Sequence, residues 1–277
     1  MINCKLTGSI PYQLFLSPAL RELALAENSL TGTLPSTSAF WTTAAATTTN
    51  NLQSLQLQQN QLQGSLPSEL GLLTQLHTLA LQKNRFTGTL PTELAMLSHL
   101  QELKLSSRQF PNQHVNGPLP KEYFVAVHQS SRNNNNNNIT ITMDDPSLML
   151  PAFPQLHTLW LANTKVTGTI PTEMALLSSS LKHLRFGNNE MSGVLPSELG
   201  RLTELVELGL TASNLTWTIP SELGELTTLQ HLRLGDNDLS GTLPLELSHL
   251  TNLNVLRLEG NRDLHGTMPE SFCAIQE

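Results

Sequence analysis

Leucines recur along the chain in pairs one residue apart: Leu23/Leu25, Leu55/Leu57, Leu79/Leu81, Leu103/Leu105, Leu159/Leu161, Leu184/Phe186, Leu208/Leu210, Leu232/Leu234 and Leu256/Leu258, with phenylalanine standing in once. Their second members advance by one constant step from Leu57 through Leu81 to Leu105, and by the same step from Phe186 through Leu210 and Leu234 to Leu258. Apolar residues at alternate positions put one face of a short strand into a core and send the intervening residue to the opposite face. A strand that returns at a fixed interval marks a repeat unit. Stacked units pair such strands into a parallel sheet, spaced at about 4.8 Å.

Each pair runs into the same polar tail, N-x-L-x-G-x-[LIM]-P, as in Asn60 to Pro67, Asn84 to Pro91 and Asn237 to Pro244. The asparagine column (Asn28, Asn60, Asn84, Asn189, Asn237, Asn261) supplies an amide with two donors and an acceptor. Such a group satisfies backbone atoms that would otherwise be buried unpaired where the chain turns inward. Glycine then permits a tight path, and proline closes the segment. Next comes Pro-[Ser/Thr]-Glu-Leu at Pro67, Pro91, Pro196 and Pro220, which reads as a Ser/Thr-capped helix start with an acid in its first turn. One repeat buries a handful of aliphatics at about 1.5–3 kcal/mol each, while ordering its residues costs about 1–2 kcal/mol apiece. Only the stacked array can fold.

In these motifs the chain resembles the plant-type leucine-rich-repeat family, which includes receptor-like proteins, receptor-like kinase ectodomains and polygalacturonase-inhibiting proteins. The resemblance covers nearly the whole chain outside two insertions. It implies an α/β fold, a leucine-rich-repeat solenoid wound as a right-handed superhelix, with a concave parallel sheet and short convex helices or turns.

Two steps break the period. The interval from Leu25 to Leu57 is longer than one repeat, and the surplus lies in Ser36–Asn50, rich in Ser, Thr and Ala. The interval from Leu105 to Leu161 is longer still, with part of the excess before Gly117 and the rest in Lys121–Pro154, which holds the run Asn133–Asn138. Consecutive asparagines cannot build a core and read as a disordered surface loop, with Ile139–Met143 a candidate degenerate strand inside it. Residues 1–277 are therefore expected to form a single array with insertions at about 36–50 and 121–154. Both ends look cut. Cys4 to Pro11 is a repeat tail with no strand before it, Cys4 taking the asparagine column, and Pro269 to Ile275 matches Pro244 to Leu250 and then stops. The array is thus expected to be truncated at both ends. Cys4 and Cys273, far apart in a linear array, cannot bridge, since a disulfide needs Cα atoms within about 7 Å.

Composition adds exclusions. Aromatics are only 5% of residues, so the core must be aliphatic, and a net charge of −7 argues against nucleic acid as a partner. No apolar run approaches the ~20 residues of a membrane span. No phosphate loop, G-x-S-x-G, H-E-x-x-H or kinase signature occurs, so the chain is expected to be a non-enzyme with no cofactor.

What chemistry there is lies on the strands. Between the paired core residues the open face reads Ala24, Gln56, Ala80, Lys104, Trp160, Arg185, Gly209, Arg233 and Arg257. Tryptophan and arginine are enriched where binding energy concentrates. Lys104, Trp160, Arg185, Glu207, Arg233 and Arg257 are the expected ligand-binding residues. His183, Glu207 and His231 share another column. Imidazole and carboxylate there suit a metal, but an ion-pair ladder with Arg185 and Arg233 is the preferred reading and no metal ligand is assigned. Glu69, Glu93, Glu122, Glu173, Glu198, Glu222 and Glu246 form a structural convex column. Trp217 takes the tail's glycine position and is expected to pack against its own repeat. Asn138 and Asn214 head N-x-[ST] sequons and are glycosylation candidates.

The expected function is ligand or protein binding. The resemblance implies part of a cell-surface or secreted receptor-like protein taking a protein, peptide or glycan on the concave face. An intracellular scaffold, and a fragment of a receptor-like kinase ectodomain, remain as alternatives.

Overall fold

The computed structural model describes residues 2–36, 51–106, 115–125 and 151–268. Each Leu-x-Leu pair contributes a three-residue strand, and nine of these stack in chain order into one parallel sheet among the described residues: Glu22–Ala24, Ser54–Gln56, Thr78–Ala80, Glu102–Lys104, Thr158–Trp160, His183–Arg185, Glu207–Gly209, His231–Arg233 and Val255–Arg257. The central leucines pair with one another, Leu23 with Leu55, Leu55 with Leu79, and so on to Leu232 with Leu256. Register is uniform because a slip of one residue would turn every core leucine to solvent.

The long step between Leu25 and Leu57 leaves this order intact, for Glu22–Ala24 pairs directly with Ser54–Gln56. The longer one between Leu105 and Leu161 does likewise, for Glu102–Lys104 pairs directly with Thr158–Trp160. Within the second span the expected insertion gives up its ends to the framework. Lys121–Tyr123 is a helical turn, and Tyr123, Phe124 and Phe153 are fully buried. The Tyr123 ring meets Phe153 edge-on at 5.4 Å, and its hydroxyl donates to the Pro91 carbonyl at 2.9 Å. The rest of both insertions, with the asparagine run, Ile139–Met143 and Asn138, lies outside the described residues, as does Cys273.

The asparagine column does what its chemistry predicts. In Asn60, Asn84, Asn189, Asn237 and Asn261 the side-chain Oδ1 accepts a backbone N–H of the preceding repeat. The Nδ2 donates to a carbonyl of that repeat and to one of its own. Asn28 binds the N–H groups of Cys4 and Leu6 in the same way. Two repeats substitute hydroxyls: Thr164 donates to the Leu161 carbonyl and Ser213 to that of Phe186.

The tails form short parallel strands along one flank, such as Gln63–Ser65, Arg85–Thr89 and Val115–Pro118. The convex side carries turns of 3-10 helix, including Ser68–Leu72, Thr92–Met96, Ser197–Arg201 and Ser221–Glu225. Their caps differ from expectation. Proline, not Ser or Thr, is the cap residue, and no side chain caps the helix. The ring closes through the proline carbonyl, as in Leu70 N–H to Pro67 at 3.2 Å, so Ser68 already lies inside the turn and its hydroxyl turns to Glu69 at 3.2 Å. Glycines after the Glu-Leu step let successive turns touch. A Cβ at Gly200 or Gly224 would stand 2.3 Å from the backbone oxygen of Glu222 or Glu246.

Candidate ligand-binding face

The strand pairing sets the side chains of the open face in rows. One row runs Lys104, Trp160, Arg185, Gly209, Arg233, Arg257, and the row beside it Glu102, Thr158, His183, Glu207, His231, Val255. Alternation makes neighbouring rows of one face two residues apart along a strand, so each Glu or His lies within side-chain reach of the cations beside it.

Glu207 is the organiser. Its side chain is 5% exposed and holds Arg185 on one oxygen and Arg233 on the other, bridging the gap that Gly209 leaves between them, with His183 Nδ1 at 3.7 Å. Burial alone would raise its pKa, but the Arg185 hydrogen bond and charge, joined by Arg233 and His231, together hold the carboxyl below its ordinary value. Arg185, fixed by that bond, lays its guanidinium over the Trp160 ring at 4.5 Å from the centroid, a cation–π pair. The His183–Glu207–His231 column is thus an ion-pair ladder in which the arginines take the carboxylate.

Around this chain of contacts lies a groove of about 610 Å³, bordered by Trp160, Arg185, Glu207, Gly209, Arg233 and Arg257, a size suited to small-molecule or peptide side-chain binding. Lys104 stands outside that lining and pairs with Glu102 at 2.8 Å. The groove reaches one row further than the sequence suggests, to Gln59, Gln82, Lys83, Ser106, Asn163 and Asn188. Gln82 and Ser106 directly follow the second core residue of a pair, and Gln59, Lys83, Asn163 and Asn188 come one residue later, positions readable from the same alignment. Four lining cations (Lys83, Arg185, Arg233, Arg257) face one lining carboxylate, so the face keeps positive charge in an acidic protein. The Gln82 Oε1 is buried and has no hydrogen-bond partner among the described residues.

One other expectation comes out differently. Trp217 does not pack against its own repeat: it is 69% exposed and adopts a left-handed backbone at φ +68°, a conformation that costs a side-chain-bearing residue about 1–2 kcal/mol. Asn214 is exposed, so its sequon is reachable. Among the described residues no helix is long and apolar enough to cross a membrane.

The family model described as Leucine Rich Repeat matches residues 51–73, 180–202 and 228–250. In sequence comparison no curated protein matches the chain. Among solved structures, the TDR receptor is 27% identical over 97% of this chain and 39% of its own length, with a TM-score of 0.78. The ectodomain of the Arabidopsis receptor kinase HAESA, in complex with a peptide hormone ligand, is 27% identical over 98% of this chain and 42% of its own, with a TM-score of 0.74. The ectodomain of the Arabidopsis thaliana membrane receptor kinase GASSHO1/SCHENGEN3 is 27% identical over 99% of this chain and 31% of its own, with a TM-score of 0.71. The chain therefore spans less than half the length of each.

Proposed function

We propose that the chain, which is similar to leucine-rich-repeat ectodomains of plant receptors, is the recognition module of a cell-surface or secreted receptor-like protein whose ligand is an acidic peptide. The observation that carries the reading is the groove beside Trp160, where Lys83, Arg185, Arg233 and Arg257 outnumber Glu207. Glu207 consumes part of that charge and pre-positions Arg185 and Arg233. Arg257 has no ion-pair partner among the described residues and is exposed to a ligand carboxylate. Guanidinium groups match carboxylates with paired donors, and the indole already held flat by Arg185 offers a platform for a second flat group. A peptide carries such carboxylates on its Asp and Glu side chains. The likeness to an ectodomain solved with a peptide hormone ligand supports the same choice.

The test is selection from a random peptide library on the intact chain. Selected peptides should be enriched in Asp and Glu, and their binding should weaken as salt is raised. Trp160→Ala and Arg257→Glu should each reduce affinity about tenfold, or 1.4 kcal/mol, while Glu222→Lys on the convex side should leave it unchanged. Neutral or basic selected peptides, or silence of both groove variants alongside loss with the convex one, overturns the reading.

A further inference from the structure

A second feature of the molecule, independent of the concave groove, is the exposed indole of Trp217 on the flank. Its position in the repeat tail is glycine in the neighbouring repeats, Gly193 at φ +81° and Gly241 at φ +77°, and among the described residues every other such tail also has glycine there. The backbone is left-handed in all of them, so the conformation belongs to the repeat and only Trp217 is strained by it. The same residue leaves a large apolar ring 69% exposed, next to Val194, itself 46% exposed, across the bridge that joins Val194 to Thr216. A backbone outlier combined with an uncovered aromatic points to binding.

The surroundings say what is bound. The ring borders a cleft of about 570 Å³ whose rim includes Thr169, Thr218, Ser197 and Glu198. The hydroxyls of Thr169, Thr218 and Ser197 make no hydrogen bond among the described residues. Glu198 is distinctive too. In the other described repeats with Ser or Thr before this glutamate, the hydroxyl donates to the carboxylate, as Ser68 to Glu69, Thr92 to Glu93, Thr172 to Glu173 and Ser221 to Glu222. Ser197 and Glu198 form no such bond, and both border the cleft with no hydrogen-bond partner among the described residues. No cation lines it. A carboxylate without a cation repels acidic ligands and accepts from hydroxyl groups, so the complementary ligand is neutral, rich in hydroxyls and flat on one apolar face.

We propose that Trp217 and this cleft form a carbohydrate-binding site for a neutral β-linked oligosaccharide, one sugar ring stacked on the indole and its hydroxyls bonded to Glu198, Ser197 and the two threonines. The strain at Trp217 is retained because glycine, the residue the backbone prefers, has no ring to offer.

The experiment titrates the intact chain with cellohexaose, a flat neutral β-1,4-glucan, by calorimetry and by indole fluorescence. Wild type should bind, with a fluorescence change that persists in Trp160→Phe and disappears in Trp217→Phe. Trp217→Phe should keep affinity within a few-fold. Trp217→Gly should lose at least tenfold while raising the melting temperature, a combination that damage to the fold cannot produce. Glu198→Gln should weaken binding several-fold. A carboxymethylated glucan of the same length should bind less well than cellohexaose, and Arg257→Glu in the concave groove should change neither. The proposal is overturned by absence of cellohexaose binding to wild type, by undiminished binding in Trp217→Gly, by preference for the carboxymethylated chain, or by a wild-type dimer that Trp217→Gly dissociates, which would make the patch an interface between copies.

Discussion

Replacing Asn237 with alanine deletes five hydrogen bonds, accepted from Ser213 and Leu215 N–H and donated to the carbonyls of Leu210, Leu234 and Gly235. Not all of these count equally. The Leu234 carbonyl keeps Asn261 as a donor, and that of Gly235 keeps the Ala212 N–H. Three buried backbone groups are left without their partner: the N–H of Ser213, the N–H of Leu215 and the carbonyl of Leu210. At the lower end of the penalty for an unsatisfied buried group, about 1 kcal/mol each, the loss comes to about 3 kcal/mol. In an array of this length that corresponds to a fall in melting temperature of about 6–12 °C. The neighbouring Asp238→Ala removes an exposed side chain and should stay within about 0.5 kcal/mol. Thermal melts followed by circular dichroism, repeated in urea, check the pair. Equal shifts for the two substitutions would refute the reasoning, because the ladder explanation rests on which of the two side chains points inward.

Two further predictions follow from the same geometry. Gly200→Ala should destabilise by about 1–3 kcal/mol, as overpacking does, since its methyl would meet the Glu222 backbone oxygen at 2.3 Å. A melting temperature at or above wild type would show that the convex turns have slack. At the groove, the depressed Glu207 carboxyl contributes stability that is present above the ordinary glutamate pKa of about 4.3 and is lost as pH falls through its lower folded value. Wild type should therefore exceed Glu207→Gln in melting temperature near neutrality, with the gap closing on acidification below pH ~4; a gap that widens there contradicts the ion-pair account.

Features set by covalent spacing are legible in the chain, and features set by side-chain rotamers are not. The strand register follows from Leu23/Leu25 through Leu256/Leu258, and the role of Asn60 or Asn237 follows from an amide being the side chain that both donates and accepts there. The rows of the open face follow from the same spacing, so Arg185, Glu207 and Arg233 are recognisable as neighbours. What spacing cannot show is that Glu207 would be nearly enclosed and hold both arginines, or that Arg185 would then lie across Trp160. Lys104 shares the row yet is taken by Glu102, a choice among partners that only geometry makes. Ser68 is misread as a cap when the pattern of an α-helix start is applied to a 3-10 turn, which closes one residue earlier. Trp217 is misread because a large apolar side chain is expected to bury itself, whereas on its left-handed backbone in the tail it stands 69% exposed.

The strands that flank the two long intervals pair in the same register as strands separated by an ordinary repeat. Position along the array is thus counted in interfaces, not in residues. Because the entropy of closing a loop rises only with the logarithm of its length, extra chain between two strands is a small burden once leucines and asparagines have locked the adjacent turns. The two long intervals are therefore natural grafting points: foreign sequence spliced there, an epitope or a second binding loop, would enter without moving Trp160, Arg185 or Glu207 from their rows. A family built on this frame can diversify its accessory loops while its binding face keeps one fixed metric.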